Sequence, residues 1–405
     1  MKILALVSRI LLGIVFTFSG FVKAVDPLGS AYKFTDYFRA FDLAWLESIS
    51  LPMSFLLSAA EFMVGFGLLL GVWLPLMSWG ALIFMTIFTP LTLYIAIANP
   101  VTDCGCFGDA LVIGNWETFF KNVLFLLPTL YLFLNRKRIP SNYSFFPQSI
   151  AFVLSLAIIT GVSYHSYRHL PLYDFRPYKI GTHILSEMEY PEGAPQDEFE
   201  IQVVYAKDGM EQSFALNNLP DSTWQWVRTE NKLIKKGYEP PIHDFIIESM
   251  NGEDKTSYYL AYPGYTFMMV AYDLEKTALT HMQQINELAE YCQVNGHEFI
   301  GLTSSVGVVE DFSMRNDLYF DFYTMDEITL KTMVRANPGF LVLKEGVIID
   351  KFHANDLPAI SDLKGDLASY FMKKHQQKSN QMQHYSWILL GLLLISLLNH
   401  FTTKR

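Results

Sequence analysis

Long apolar stretches separated by short polar connections run through the first 165 residues of the chain. A membrane-spanning helix needs about 17–25 predominantly apolar residues. Five stretches here are candidates, although the last is short: Ile3–Val22, Leu51–Trp73, Met77–Ala98, Trp116–Leu134 and Ile150–Tyr164. A further stretch, Tyr385–Phe401, lies close to the C-terminus. The pattern predicts a polytopic α-helical membrane protein with six spans.

The basic residues predict the orientation of these spans. Arg136-Lys137-Arg138 follows the fourth span and Lys404-Arg405 follows the sixth. Lysine and arginine are enriched in cytoplasmic loops, and six crossings from a cytoplasmic N-terminus place both clusters on that side. We therefore expect a multi-pass protein of the bacterial inner membrane, in contact with lipid, with three periplasmic segments: 23–50, 99–115 and about 166–384. The first span is interpreted as an uncleaved helix, because Phe21-Val22-Lys23 offers no small-residue cleavage site.

The region between the fifth and sixth spans alternates strands and helices in its second half. The predicted strands are Tyr265–Tyr272, His297–Thr303, Tyr319–Tyr323, Gly339–Leu343 and Val347–Phe352. Helices are predicted over about 280–295, 308–316, 326–335 and 359–374, with Thr280 as the first N-cap. Before residue 240 we expect a strand at Phe199–Tyr205 and a helix containing Trp224, Trp226 and Val227. The alternation indicates a parallel sheet closed by a hairpin, an order that resembles thioredoxin.

These patterns divide the chain into five parts. They are a four-span membrane domain (1–138), a fifth span (145–165), an extracytoplasmic linker subdomain (170–240), a thioredoxin-like α/β domain (241–378) and a C-terminal span (385–402). The composition agrees with this division, since 51% of the residues are hydrophobic and only 17% are charged. The formal net charge of −10 argues against a nucleic-acid partner, because no basic stripe is available to neutralise phosphates.

Two of the three cysteines are one residue apart, in Asp103-Cys104-Gly105-Cys106-Phe107-Gly108-Asp109, within the predicted outer loop between spans three and four. Thiols on the oxidising side of a membrane can pair, and Gly105 supplies the backbone freedom that such a small ring demands. Three interpretations stay open: an exchanging disulfide, a static staple or pair of buried thiols, and metal binding. Two cysteines are too few ligands for a zinc site. The flanking aspartates predict raised thiol pKa values.

Several motifs in the membrane part resemble those of a known family. They are Arg9-Ile10-Leu11-Leu12-Gly13, Phe18-Ser19-Gly20-Phe21-Val22-Lys23, Ala60-Glu61 with Gly65-Phe66-Gly67, and Cys104-Gly105-Cys106-Phe107-Gly108. Over about residues 1–138 they resemble the DoxX superfamily, specifically its MauE-like branch of redox-associated membrane proteins. The whole arrangement is similar to DoxX-family proteins of Bacteroidetes. The resemblance implies thiol–disulfide exchange or electron transfer at the membrane, in support of an exported or periplasmic protein partner, with a quinone as the candidate cofactor.

Glu61 lies near the middle of the second span, where a carboxylate is costly unless it faces the bundle interior with a partner. Lys121, one to two turns into the fourth span, is the expected partner. A Glu61–Lys121 pair is interpreted either as a proton or quinone site beside the cysteine loop or as a structural ion pair that sets helix register. Arg9 and Lys23 are interpreted as snorkelling residues. The candidate catalytic residues are thus Cys104, Cys106, Glu61 and Lys121.

The thioredoxin-like domain lacks the cysteines of an active thioredoxin. That Cys-x-x-Cys follows the central strand, where this chain has Tyr-Asp-Leu-Glu-Lys-Thr-Ala-Leu over residues 272–279. Pro338 matches the proline that is cis in thioredoxins, and Cys292 is interpreted as a buried core thiol. We expect a degenerate domain retained for binding. The alternative to a thiol–disulfide oxidoreductase is therefore a non-catalytic membrane scaffold or assembly protein.

Two segments next to the fifth span are predicted to join the membrane part to the soluble region. Asp174-Phe175-Arg176-Pro177-Tyr178 is interpreted as a docking linker. His165 and His169 have the i, i+4 spacing of a helical metal pair, but ten histidines in the chain make such a spacing common. We interpret them as juxtamembrane interface residues and predict no metal site.

Overall fold

The computed structural model describes residues 2–139, 144–207, 209–235 and 237–380. The membrane part consists of α1 (Lys2–Val25), α2 (Pro27–Ala40), α3 (Ser50–Leu70), α4 (Leu74–Ala98), α5 (Asn115–Asn135) and α6 (Phe145–Arg168). Within the described residues, five helices are long and apolar enough to cross a membrane, and α2 is not among them. The first five predicted spans are confirmed, and α6 is longer than expected. The predicted sixth span, Tyr385–Phe401, lies outside the described residues.

Glycines allow α1 and α3 to pack with their backbones in contact. A Cβ atom added at Gly20 would lie 2.3 Å from the backbone nitrogen of Phe62, and one at Gly65 would lie 2.2 Å from that of Thr17. Small residues serve the same purpose at helix interfaces in other membrane proteins. Among the described helices, α1 packs most extensively on α3. This contact determines which polar side chains of α1 can reach α3.

A helix that the sequence pattern did not predict lies in the connection between α1 and α3. Asp26 is the N-cap of α2, since its carboxylate accepts a hydrogen bond from the Gly29 N–H at 2.9 Å. Pro27 follows as the first helical residue, a position that proline favours. Ser54 Oγ donates to the Pro27 carbonyl at 2.7 Å, which fastens the start of α2 to α3. Hydropathy alone does not predict α2, because this helix is too polar to be recognised as a membrane span.

The soluble region after α6 contains two sheets. Its strands are β1 (Glu198–Lys207), β2 (Met210–Ala215), β3 (Gln225–Lys235), β4 (Glu248–Ser249), β5 (Tyr265–Val270), β6 (Glu298–Thr303), β7 (Phe322–Thr324), β8 (Gly339–Lys344) and β9 (Val347–His353). Its helices are α7 (Ile184–Met188), α8 (Thr256–Leu260), α9 (Met282–Val294), α10 (Val309–Arg315), α11 (Glu327–Met333) and α12 (Ile360–Leu363), and residues 367–380 are also helical.

The larger sheet has the strand order β4-β7-β6-β5-β8-β9. β5, β6 and β7 are parallel neighbours, while β8 is antiparallel to both β5 and β9. Both faces are covered by apolar clusters, one with Met268 and Leu341 and the other with Phe267 and Phe340. The central strand, β5, thus has parallel strands on one side and the antiparallel hairpin of β8 and β9 on the other. A cis Asn337-Pro338 bond precedes β8. This is the thioredoxin arrangement. The predicted thioredoxin-like fold is confirmed.

The smaller sheet has the order β2-β1-β3 and replaces a predicted helix. Trp226 lies in β3, paired with Tyr205 of β1, and Trp224 lies in the turn before β3. The helix prediction for these tryptophans is therefore wrong. Aromatic side chains favour strands when a neighbouring strand packs beside them, and the Trp224 ring lies 5.3 Å from the Phe214 ring of β2.

Three element bounds in the thioredoxin-like domain also differ from the prediction. α9 begins at Met282 without a side-chain cap, so Thr280 is not its N-cap. β7 begins at Phe322, three residues later than expected. The helix predicted over 359–374 is interrupted after α12, where Gly365 has φ +126°. Such a backbone angle, which glycine adopts readily, ends helical geometry.

Candidate functional site

The Cys104-Gly105-Cys106 segment lies in the connection between α4 and α5. Its two Sγ atoms are 2.8 Å apart, and both thiols are free. Gly105 has φ +65°, which glycine adopts without strain, so the chain can turn both thiols toward each other. The Gly105 N–H donates to Asp103 Oδ1 at 2.8 Å, and Lys33 Nζ of α2 donates to Asp103 Oδ2 at 2.6 Å. The loop is thus shaped by its own aspartate and held by α2.

Side chains of the helices also bind the carbonyl oxygens of both cysteines. Tyr37 Oη on α2 donates to the Cys104 carbonyl at 2.7 Å. On α1, Lys23 Nζ donates to the Cys106 carbonyl at 2.8 Å, and Ser19 Oγ lies 2.7 Å from the same oxygen. Because donors from two helices hold the backbone on either side of Gly105, the two thiols are kept next to each other.

Glu61 is paired with Lys23 and not with Lys121, so the predicted pair is wrong. Lys23 Nζ lies 2.7 Å from Glu61 Oε2, and both side chains are almost fully buried. The glycine contacts between α1 and α3 bring the two groups together, a proximity that hydropathy cannot reveal. Lys23 is therefore not a snorkelling residue. Arg9 is buried as well, and its Nε donates to the Leu68 carbonyl at 3.1 Å.

Lys121 lies beside the cysteine loop in a different way. Its Nζ is 4.3 Å from the centre of the Phe107 ring, within the range of a cation–π interaction. Phe107 directly follows Cys106, so this contact places a positive charge near the thiols. The structure therefore brings all four predicted site residues into one neighbourhood, although Glu61 and Lys121 are not partners.

All four predicted site residues line one cavity of about 140 Å³. Its walls are largely apolar and aromatic, formed by Val15, Phe16, Phe34, Leu57, Met85, Phe88, Leu91, Phe107 and Phe125. An apolar cavity of about 150 Å³ can hold a benzene ring. The cavity therefore has room for a single six-membered ring directly beside the thiols.

Four polar side chains that contact the cysteine loop or its aspartate were not selected as site residues from the sequence. Ser19, Lys23, Lys33 and Tyr37 all line the cavity and contact the cysteine loop or its aspartate. A signal existed for two of them, because Ser19 and Lys23 have the i, i+4 spacing that places side chains on one face of a helix. Lys33 and Tyr37 have the same spacing on α2, but the pattern of apolar residues did not predict that helix.

The two thiols have opposite pKa shifts. The hydrogen bond between them, together with the charges of Lys121 and Lys23, lowers the pKa of the Cys106 thiol. The same hydrogen bond and burial raise the pKa of the Cys104 thiol. The prediction that the flanking aspartates raise both values is wrong, since Asp103 is paired with Lys33 and Asp109 with Arg335. Cys106 is the sulfur that more readily forms a thiolate.

Replacing Lys121 by methionine should slow the reaction of the reduced pair with iodoacetamide at neutral pH. A nearby cation favours the thiolate, so its removal raises the Cys106 pKa and moves the rate–pH profile upward, by about one unit. Mass spectrometry of the detergent-solubilised protein at a series of pH values measures this shift. Lys137→Met, an exposed lysine just beyond the far end of α5, is the matched control. Equal profiles for all three proteins would rule out an effect of Lys121 on the thiols.

The segment after β5, where an active thioredoxin has its Cys-x-x-Cys, contains no cysteine, as the sequence predicted. Asp273 caps a short turn there by accepting a hydrogen bond from the Glu275 N–H at 3.1 Å. Asn337 of the cis-proline loop donates through Nδ2 to the Asp273 carbonyl at 2.7 Å. Cys292 is fully buried in the core, and burial raises the pKa of its thiol. Redox chemistry of the thioredoxin type therefore has no cysteine at its usual place in this domain.

The predicted juxtamembrane residues join α6 to the soluble region. The rings of His165 and His169 stack with centroids 4.8 Å apart, and His169 Nδ1 lies 2.6 Å from Asp356 Oδ1. In the linker, Asp174 binds Lys351 Nζ at 2.6 Å. Across the ranges that the structure describes, no group of three or more His, Cys, Asp and Glu side chains is arranged to hold a metal ion.

Fold and site together define a class: a polytopic membrane protein with a dithiol in an interhelical loop and a thioredoxin arrangement without the Cys-x-x-Cys in its soluble region. Residues 1–135, which span α1 to α5, match the family model described as Methylamine utilisation protein MauE. This match confirms the resemblance of the membrane domain to MauE that the sequence motifs indicated. The wider DoxX assignment stays a prediction. Residues 199–236 match a family described as Domain of unknown function (DUF8463).

A solved structure is also similar to part of the chain. It is the solution structure of "a putative protein disulfide isomerase from Bacteroides thetaiotaomicron", with 11% sequence identity and a TM-score of 0.24 over 35% of this chain and 90% of the other. The thioredoxin-like fold is assigned from the strand order and the cis proline, not from this similarity. No curated protein matches the chain significantly.

Proposed function

We propose that this protein performs thiol–disulfide exchange at the outer face of a bacterial inner membrane, with Cys104 and Cys106 alternating between a dithiol and a disulfide. One observation carries the proposal: the two Sγ atoms lie 2.8 Å apart at the wall of a cavity that is also lined by Lys23 and Lys121. A static staple would require neither the cavity nor the cations beside the thiols.

The exchange moves two electrons. A thiolate of a reduced, exported partner attacks one sulfur of the Cys104–Cys106 disulfide, and the second partner thiol then resolves the mixed disulfide. The partner loses two electrons and two protons and gains a disulfide, while Cys104 and Cys106 become thiols. The charges of Lys121 and Lys23 favour the Cys106 thiolate, which makes Cys106 the better leaving group when the partner attacks Cys104. The cycle closes when the pair passes two electrons to an acceptor.

A buried hydrogen-bonded chain next to Cys106 is suited to hold a proton during this cycle. Ser19 Oγ lies 2.8 Å from Glu61 Oε2 and 2.7 Å from the Cys106 carbonyl. A hydroxyl has one proton, so it donates to only one of them at a time. Lys23 Nζ binds the same Glu61 oxygen and keeps the carboxylate paired in apolar surroundings. In the proposed cycle Glu61 and Lys23 support proton movement beside the reacting sulfurs.

The family resemblance implies a membrane quinone as the acceptor, and the cavity is the place where the ring of its head group would bind. It has the volume for one ring, and its phenylalanine side chains offer flat apolar contacts. Lys121 is the polar side chain that would donate to a ring oxygen, because the hydroxyl proton of Tyr37 is already donated to the Cys104 carbonyl. When bound, a quinone accepts two electrons and two protons, which matches what a dithiol releases on oxidation.

The proposed location follows from the charges around α5. The basic cluster Arg136-Lys137-Arg138 lies beyond one end of α5, and the cysteine loop precedes the other end. If the basic end is cytoplasmic, the thiols face the oxidising periplasm, where disulfides persist. The proposal does not extend to methylamine metabolism, because the soluble region departs from a minimal MauE protein.

Differential alkylation in intact cells tests the proposal. Acid-trapped protein is labelled with one maleimide, reduced, and labelled with a heavier one, so that mass spectrometry reports the redox state of the pair. We expect both dithiol and disulfide, with more dithiol when respiration is blocked and more disulfide after an oxidant. Cys292→Ser should behave as the wild type.

The same measurement separates the proposal from a non-catalytic scaffold. The double variant C104S/C106S should lose all redox-dependent labelling, and the exported partner should accumulate in its reduced form. A pair that keeps one redox state under every condition, with a double variant equal to wild type in function, would favour the scaffold.

A further inference from the structure

Arg335 of the thioredoxin-like domain is buried between two aspartates of the membrane domain. Its Nε lies 2.9 Å from Asp26 Oδ2 and its Nη2 lies 2.7 Å from Asp109 Oδ2, with the side chain only 7% exposed. Its Nη1 also donates to the Lys331 carbonyl. A guanidinium removed from water needs charged partners of this kind. Arg335 is thus a fully engaged contact between the two halves of the chain.

One of the two aspartates belongs to the cysteine loop, and the other belongs to a helix that holds this loop. Asp109 follows the cysteine pair by three residues. Asp26 caps α2, the helix whose Lys33 and Tyr37 hold the other side of the loop. Burial alone would raise the pKa of Asp26, but the charge of Arg335 holds it below its ordinary value. Arg335 therefore connects the end of the loop to the helix that holds its beginning.

A second contact shows which end of the thioredoxin-like sheet faces the membrane domain. Tyr272, just after β5, packs edge-on against Tyr32 of α2 with ring centroids 6.1 Å apart. Lys331 Nζ lies 4.9 Å from the Tyr32 centroid and 5.2 Å from the Tyr272 centroid. Arg335 itself precedes the cis Pro338 by three residues. The end of the sheet that lacks the Cys-x-x-Cys is therefore docked beside a cysteine pair of the same chain.

The cis-proline loop is already engaged within its own domain. The Asn337 carbonyl accepts a hydrogen bond from the Ala278 N–H at 3.3 Å, and its side chain binds the Asp273 carbonyl. These bonds use the backbone position at which the loop could pair with an extended partner chain. The residue beside this loop that reaches beyond its own domain is Arg335, and its carboxylate partners belong to the membrane domain.

We infer that the thioredoxin-like domain acts on the cysteine pair of its own chain, with Arg335 as a positioning residue that holds the loop, through Asp109 and Asp26, where the two thiols meet. The inference deepens the proposed function and rests on it for its biological consequence. The effect of Arg335 on the cysteine pair can be measured on the purified full-length protein, whether or not the pair cycles in cells. The inference and the proposed function can therefore fail separately.

Equilibration of the full-length protein in detergent with dithiothreitol redox buffers tests the inference. In Arg335→Gln we expect the equilibrium constant for forming the Cys104–Cys106 disulfide to fall about tenfold, a potential change of about 30 mV. Releasing the loop separates the thiols and lowers their effective concentration toward each other. Asp109→Asn should shift it in the same direction, and the double variant should add little, because both changes remove one contact. Arg335→Lys should lower the equilibrium constant less than Arg335→Gln does.

Arg315→Gln is the matched control, since Arg315 forms an exposed ion pair with Asp311 in the same domain. It should leave the equilibrium constant unchanged. If Arg335→Gln does not fold, as judged by thermal unfolding, Asp109→Asn and Arg335→Lys decide the question. Wild-type equilibrium constants in folded Arg335→Gln, or in both of the milder variants, would overturn the inference, because a merely structural role changes stability without moving the potential.

Discussion

Replacing Lys23 by methionine is expected to lower the free energy of unfolding by about 3–5 kcal/mol, because Glu61 then becomes a buried carboxylate without its cation. The two charged atoms are 2.7 Å apart, and neither side chain is more than 8% exposed. Methionine keeps much of the apolar stem of lysine, so the loss of packing is small. Unfolding of the detergent-solubilised protein by SDS, followed by tryptophan fluorescence, measures the change.

A double variant separates the loss of the ion pair from a general disturbance. Glu61→Gln alone should also destabilise, since Lys23 becomes the unpaired charge. The combination K23M/E61Q should be more stable than either single variant, because no buried charge is left alone. Lys276→Met is the control: Lys276 is 82% exposed, and surface ion pairs contribute about 0–1 kcal/mol. A wild-type unfolding curve for Lys23→Met would contradict the buried pair.

The second large effect is expected from Gly20→Ala, which should destabilise the protein by about 3 kcal/mol, the upper end of the usual range for overpacking. The added Cβ would lie 2.3 Å from the Phe62 nitrogen and 2.7 Å from the Ser58 carbonyl oxygen. Both are backbone atoms of α3, so no side-chain rotation relieves the clash. α1 must move, and its polar groups then leave the cysteine loop. Thermal unfolding together with the alkylation rate of the thiols measures both consequences.

Gly161→Ala is the matched control for this substitution. Gly161 lies in α6, and an added Cβ would meet no atom within 4 Å. Alanine is the better helix former by about 1 kcal/mol, so this variant should be as stable as the wild type or slightly more so. If Gly20→Ala unfolds in the same way as Gly161→Ala, α1 and α3 do not pack through Gly20.

The parts of the fold that follow from local patterns could be predicted. The first five spans are recognisable because each is a continuous apolar run. The strands of the larger sheet are recognisable because buried strands are short apolar runs between turn residues. Prediction failed at α2 and β3. A polar helix packed on a membrane bundle has no long apolar run, and a pair of nearby tryptophans does not distinguish a helix from a strand until the neighbouring strand is known.

At the candidate site, the residue types were recognisable and their partners were not. A carboxylate inside a span requires a cation, so Glu61 was expected to have one. Whether Lys23 or Lys121 supplied it depended on the contact between α1 and α3. Likewise, no pattern along the chain connects Arg335 to Asp26 and Asp109.

The amino-acid sequence alone was enough to determine the membrane helices described above, the paired cysteines in their loop and a thioredoxin order without its cysteines. The tertiary structure decided that Lys23 neutralises Glu61, that α2 holds the loop and that Arg335 docks the soluble domain beside the thiols. The physical reason is the range of the interactions. Hydropathy and turn residues act between neighbours in the chain, whereas ion pairs and backbone contacts depend on how distant segments pack.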